Sequence, residues 1–440
     1  MLEPVPLHSP SGEECLERLV TRRFDVPAEL EARVRAILDR VRDEGDQAVL
    51  AYTHQFDAPG LRLEDLRVPD EEIRRARSEL DPAFLRSLEK AAAHVRAFHR
   101  HQLPNSWFTT REDGAVLGQL VRPVDAAGLY VPGGQAGQTP LVSSVLMNAL
   151  PAAIAGVPRI VLATPPNREG GVHPAILAAA AEAGVHEVYR MGSAWAVAAM
   201  AFGTETVAPV DVVVGPGNIY VTLAKRLVAG TVGIDMVAGP SEVLVIADEG
   251  APAAYVAADL LSQAEHDPMA TAVLVTPSET LARQAAAALE DQLARLPRAE
   301  TARRSLADHG LVLVVRDLDE AVEVANRVAP EHLELLTADP WALLPRVRHA
   351  GAVFLGPYTP EPVGDYVAGP NHVLPTMGTA RFSSALGVET FLKRSSVLAY
   401  SAGAFAADAR DVVRLAALEG LDAHARSVEV RLEGLGRDAG

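Results

Sequence analysis

From about residue 159 onward the chain alternates between short apolar runs and helical runs, and this pattern limits the folds open to it. IVLATPP is an apolar run closed by prolines, HPAILAAAAEAG reads as a helix, VYRMG as a strand and AWAVAAMAFG as a helix. DVVVGPG then runs into NIYVTLAKRLVAG, and IDMVAG closes the series. A second series starts at EVLVIAD and passes through the Ala-rich helix ending in LLSQAEHDP. It continues through TAVLVTP, LARQAAAALEDQLARL, LVLVV, LDEAVEVANRVA, EHLELL, WALLPRV and GAVFLG. Such alternation calls for parallel sheets with helices on their faces. Two consecutive α/β units, roughly 130–240 and 241–380, are expected. The first hundred residues carry helical periodicity and are followed by the strand-like runs AVLGQLVRPV and GLYVP. The tail from about 383 reads as helical and is too small to bury a core alone.

A chain of 440 residues predicts two or three domains. Its formal net charge of −17 repels phosphate backbones and anionic lipid, so nucleic acid and membrane surfaces are excluded as expected partners. The N-terminus shows no basic segment followed by an apolar one, and no apolar run is long enough to cross a bilayer. A cytoplasmic protein is the expectation. Cys15 is the single cysteine, so no intrachain disulfide can form and thiol catalysis is disfavoured. Lysines are confined to Lys90, Lys225 and Lys393, which leaves few candidates for Schiff-base chemistry.

Ligands of open α/β sheets bind beyond the carboxyl ends of strands. Three glycine turns are expected at such ends: YVPGG (130–134), GPGN (215–218) and AGPSE (238–242). GPGN leads a strand into a helix, whose N-terminus favours an anion such as a pyrophosphate, although Tyr220 occupies the last glycine position of the dinucleotide fingerprint. Gln263 and His266 lie three apart and so on one helix face, just before Pro268, either as a solvated helix end or as half of a metal site. Glu331 and His332 are adjacent and could move protons or activate water, or be a simple exposed pair. Asp365 and His372 sit in a Gly/Pro-rich stretch, and Glu419 and His424 flank a helix break in the tail. No HExxH or CxxC spacing joins these segments. The residues alone describe an α/β protein with nucleotide-binding potential and dispersed His and carboxylate candidates.

The chain resembles the histidinol dehydrogenase family. The likeness rests on GLYVPGG, SSVLMNALPAAIAGV, the block from VVVGPGNIYVTLAKRLV to ADLLSQAEHDP, PEHLELL, GDYVAGPNHVLPT, FLKRSSV and EGLDAHARSVEVRL. It implies an α/β fold of two Rossmann-like parallel-sheet domains with small helical N- and C-terminal segments, in an intertwined homodimer. The implied layout has a helical segment over 1–25, a first domain of 26–129 with 241–382, a second of 130–240 on the cofactor side, and a tail over 383–440 that reaches into the partner's site. It further implies one zinc ion held by Gln263, His266, Asp365 and His424. Glu331 and His332 become the catalytic pair in an NAD-dependent four-electron oxidation of L-histidinol to L-histidine. Substrate contacts fall on Ser241, Gln263, His266, His332, Asp365, Glu419 and His424, with His372 nearby. NAD contacts fall on Tyr130, Asn218 and position 195. The family has glutamine at this last position and this chain has Trp195, in GSAWA. An indole donates one hydrogen bond and accepts none, so Trp195→Gln is expected to shift the KM for NAD and not that for histidinol. The loop QAGQTPLVSSV after Gly134 is also expected to be longer than in some relatives. A zinc- and NAD-dependent dehydrogenase of another small alcohol, such as a sulfonated diol, is the alternative; Glu419 and His424 favour the imidazole-bearing substrate.

Overall fold

A computed structural model describes residues 2–22, 26–134 and 139–438. Residues 135–138 of the loop after Gly134 lie outside the described set. Two compact units result, one of residues 1–102 with 124–391 and the other of 103–123 with 392–440.

The larger unit holds two all-parallel sheets. One has six strands in the order β1 (Pro4–Pro6), β11 (Leu311–Val314), β10 (Thr271–Thr276), β9 (Glu242–Ala247), β12 (His332–Leu336) and β13 (Ala352–Leu355). The other has five, in the order β6 (Glu187–Arg190), β5 (Arg159–Thr164), β4 (Ala126–Tyr130), β7 (Val212–Val214) and β8 (Gly233–Ile234). Central strands are mostly apolar because helices cover both faces; β9 and β12 are buried at every residue, including Glu242, His332 and Glu334. The chain moves outward from β4 through β5 to β6 and then returns to the other side of β4 as β7. The order therefore reverses between β4 and β7, the place where such sheets open a ligand crevice.

Three expected boundaries shift. Residues 4–6 are not part of a purely helical segment, since β1 adds an edge to the six-stranded sheet by pairing with β11. The helices Ala28–Glu44 and Asp46–Phe56 do not join the 241–382 domain. Their apolar faces (Val34, Leu38, Val41, Val49) pack into one core with Tyr130, Trp195 and Val213 of the five-stranded sheet's side. The break between these helices is Gly45, at φ 57°, where a β-carbon would collide with the Glu205 carboxylate. Residue 130 also ends β4, so a boundary at 129/130 would cut that strand.

The smaller unit corrects the reading of the tail as purely helical. FLKRSSV contributes β14 (Leu392–Ala399), which pairs antiparallel with β3 (Val116–Pro123), and β3 pairs with β2 (Trp107–Thr110). Two helices, Ala402–Leu418 and Asp422–Asp438, follow. The first buries only Ala404, Ala409 and Ala416, while Leu415 and Leu418 stay 63% and 86% exposed.

Candidate active site

Glu331 and His332 stand at the start of β12, beside Glu242 at the start of β9. The sequence placed the turn AGPSE at a carboxyl strand end; in the six-stranded sheet this turn, with Glu331 and His332, occupies the amino edge instead. Both are held by the Glu242 backbone. The Glu242 N–H donates to Glu331 Oε2 at 2.9 Å, and His332 Nδ1 lies 3.0 Å from the Glu242 carbonyl. A carbonyl can only accept, so Nδ1 carries the proton and the neutral ring keeps its lone pair on Nε2. Nε2 is buried with no hydrogen-bond partner and lies 3.9 Å from Glu361 Oε1. Burial holds the His332 pKa below its ordinary value and keeps the ring a base. Burial also raises Glu331 well above the ordinary carboxylate range, reinforced by the charges of Glu242, Glu361 and Asp365. Arg22 forms an ion pair with Glu242 and so steadies the strand start that carries both groups.

A second group adjoins His332 through Glu361. Ligand atoms of His266, Glu361 and Asp365 lie within 4.8 Å of one another. Gln263 is 1% exposed, and its Oε1 has no hydrogen-bond partner. The helix Ala253–Ala264 ends earlier than its sequence suggested. His266 belongs to the tightened turn beyond it, with its N–H donating to the Gln263 carbonyl at 3.2 Å. Asp365 is not in an irregular loop but in a π-helical turn, Gly364–Ala368, a form that recurs at functional sites. Burial, then the Glu361 carboxylate, pushes Asp365 up to about 8. Two carboxylates and an imidazole brought this close fit a divalent metal ion, and the orphaned amide oxygen of Gln263, three residues before His266, is a further candidate ligand.

Glu361 was missed in the sequence. PEPVGD places it four residues before Asp365, a spacing that matters only once the segment is known to be helical. Also missed were Asp259 and Glu334, a buried carboxyl pair that share a hydrogen bond and are both raised by burial. His372 is held down to about 4 by burial, and its Nε2 is likewise without a partner. Glu419 and His424 are exposed on the smaller unit.

On the five-stranded sheet the glycine turns behave as expected. Gly215 sits at φ 118°, where a β-carbon would lie 2.1 Å from the Tyr130 carbonyl oxygen, so the end of β7 packs directly on the end of β4. Buried Lys225 locks this turn by donating to the Gly215 carbonyl at 2.8 Å and pairing with Asp235 at 2.5 Å. Asn218 caps the helix Ile219–Val228, accepting from the Tyr220 and Val221 N–H groups. Tyr130 is buried, and its hydroxyl accepts from the Ser193 N–H at 3.1 Å. Trp195 is 4% exposed and stacks on Tyr52 and Phe56 at 5.7 and 5.6 Å. A cavity of about 1020 Å³ has Gly217, Asn218 and Ile219 on one wall and Ser241, Thr271 and Leu311 on the other. The carboxyl edge of one sheet thus faces the amino edge of the other.

A family model described as histidinol dehydrogenase matches residues 20–432. The chain belongs to the histidinol dehydrogenase family. Histidinol dehydrogenase of Desulfotalea psychrophila is 54% identical over 98% of this chain and 100% of its own length. That of Oleidesulfovibrio alaskensis is 58% identical over 92% and 93%. The crystal structure of histidinol dehydrogenase from Elizabethkingia anophelis superposes with a TM-score of 0.92 at 35% identity, covering 99% of both chains. No described helix is long and apolar enough to cross a membrane.

Proposed function

We propose that this protein oxidises L-histidinol, through histidinaldehyde, to L-histidine, the last step of histidine biosynthesis, using two NAD per substrate. The observation that carries the chemistry is His332: a buried neutral imidazole with its free Nε2 turned toward the His266–Glu361–Asp365 cluster. Gln263, His266 and Asp365 would hold zinc, with His424 of a second subunit as the fourth ligand; the ion would supply Lewis acidity and a fixed anchor for the substrate's imidazole and amine. Each NAD would accept one hydride, bound over the turn GPGN with Tyr130, Asn218 and Trp195 along its length.

His332 Nε2 takes the carbinol proton as hydride leaves, which a ring kept neutral by burial can do. Glu331 receives a proton from water as the aldehyde becomes its hydrate, and its position against the Glu242 N–H orients it for that task. Once it has passed the first proton to solvent, His332 takes the hydrate proton in the second oxidation. Ser241, Glu419 and His372 complete the contacts to the substrate. Cys15 has no part, since a hydrate route needs no thioester.

The exposed leucines of the helix Ala402–Leu418 support a homodimer in which each tail covers, and completes, the other subunit's site. Counting NADH formed per histidinol tests the reading. Two per substrate is expected; one would mean that oxidation stops at the aldehyde, and none would overturn the assignment.

A further inference from the structure

Two buried polar atoms on the five-stranded sheet's side have no partner in the protein: Asp57 Oδ2 and Trp195 Nε1. Both flank Gly192, which follows β6. A β-carbon at Gly192 would lie 2.9 Å from Asp57 Oδ2 and 3.5 Å from Trp195 Cζ2. An acceptor and a donor placed so near would pair if aimed at each other, and they do not. Leaving both unmet in a buried place is costly unless something else satisfies them. Without a side chain, Gly192 lets the Asp57 carboxylate and Pro165 pack against its backbone, and the next residue, Ser193, is held at φ 45° with its N–H on the Tyr130 hydroxyl. Asp57 ends the helix Asp46–Phe56 and therefore comes from outside the strand–helix units of the sheet. Burial pushes its carboxyl up to about 6, as expected for a group awaiting a partner.

We infer that Asp57 and Trp195 together bind the ribose diol of the adenosine half of NAD, with Asp57 accepting from one hydroxyl and the indole N–H donating to the other. The inference rests on the proposed NAD dependence. A vicinal diol offers a donor and an acceptor on neighbouring atoms, which is what the two orphaned groups require. The adenosine end is assigned by position. GPGN, after β7, borders the cavity shared with Ser241, whereas β6 lies three strands away at the far edge of the sheet. The reacting end must lie near Ser241, so the diol beside β6 belongs to the other half. The same carboxylate would repel a 2′-phosphate, giving preference for NAD over NADP.

The test uses the full-length, metal-loaded protein with NAD, NADP and NAD lacking the adenosine 2′-hydroxyl. In the unaltered protein, the deoxy cofactor is expected to raise KM by about ten- to a hundredfold, the loss of a hydrogen bond to a charged group. Asp57→Asn is expected to raise the KM for NAD similarly, leave that for histidinol within about twofold, and nearly abolish discrimination against both the deoxy cofactor and NADP. Trp195 is the buried tryptophan, Trp107 and Trp341 being 52% and 69% exposed, so NAD should quench the blue-shifted emission and Trp195→Phe should remove that quench. Equal use of NAD and its deoxy form by the unaltered protein would overturn the inference while leaving the dehydrogenase reading intact. Absence of any histidinol-dependent NAD reduction would instead sink the reading on which it rests.

Discussion

Removing the charge of Lys225 should loosen the GPGN turn proposed to hold the cofactor and destabilise the fold together. Lys225 and Asp235 are 3% and 0% exposed at their side chains, with Nζ 2.5 Å from Oδ1. Lys225→Met leaves a buried carboxylate whose remaining partners are the Gly215 and Met236 N–H groups, at 2.8 and 2.7 Å. Breaking such a pair from one side costs about 3–5 kcal/mol, and the two retained N–H donors argue for about 3. At about 2.1 cal/mol/K of unfolding entropy per residue, a chain of 440 residues loses roughly 1 °C per kcal/mol, so the thermal midpoint should fall by about 3 °C. The Gly215 carbonyl loses its donor as well, so the KM for NAD should rise while that for histidinol stays nearly constant. Replacing both partners by apolar groups, Lys225→Met with Asp235→Leu, should recover part of the lost stability, because the penalty lies in the stranded charge. Thermal denaturation followed by circular dichroism, with initial-rate kinetics on the same samples, reads both effects. A single variant within about 1 kcal/mol of the parent, or a double variant no better than the single one, would refute the reasoning.

Further outcomes can be checked directly. His332→Asn should lower kcat by about 10²–10⁴ in steady-state assays, the usual value of a general base, with little change in melting temperature. A strong chelator should abolish turnover and lower the thermal midpoint, and excess zinc should restore both, a linkage of about 2.7 kcal/mol at a metal concentration a hundred times Kd. Mixed dimers of Gln263→Ala and His424→Ala subunits should regain activity that neither variant has alone, because one of the two shared sites is then intact; recovery of none would exclude a ligand lent by the partner. Asp57 has a folded pKa of about 6 against 3.8 for the free group, so the native state binds the extra proton and stability falls as pH rises from about 4 to 6. Asp57→Asn should therefore be more stable than the parent by roughly 1–2 kcal/mol at pH 7, discounted for partial exposure, and lose that advantage near pH 4 in melts across pH.

The strand–helix alternation was legible because period and length separate buried strands from helices with few ambiguities. Gly215 also announced itself in a turn, whereas the helix break at Gly45 did not, because the helical spacing runs on across it. What local pattern could not convey was which end of a strand carries the chemistry. Glu331 and His332 lie on the amino edge of β12 because the preceding residues, not the following ones, form the site wall. Partnership was equally hidden: residues 28–56 pack with the five-stranded sheet, and β14 pairs with β3 across more than 250 residues of sequence. Gln263, His266 and Asp365 could be nominated from residue type and family likeness. Glu361 could not, since its approach to His332 and Asp365 depends on a π-helical turn that no sequence period encodes. Asp57 was invisible for a related reason, as its meaning comes from an unsatisfied atom and not from a motif.

The opposed edges of the two sheets bear on how one catalyst performs two oxidations in succession. On the proposed reading, substrate and cofactor would be gripped by separate walls, each with its own anchors. A spent carrier can therefore depart from its wall and a fresh one arrive while the half-oxidised molecule remains fastened opposite. On that reading a reactive aldehyde would stay bound, because what lets the carrier go would not let the aldehyde go.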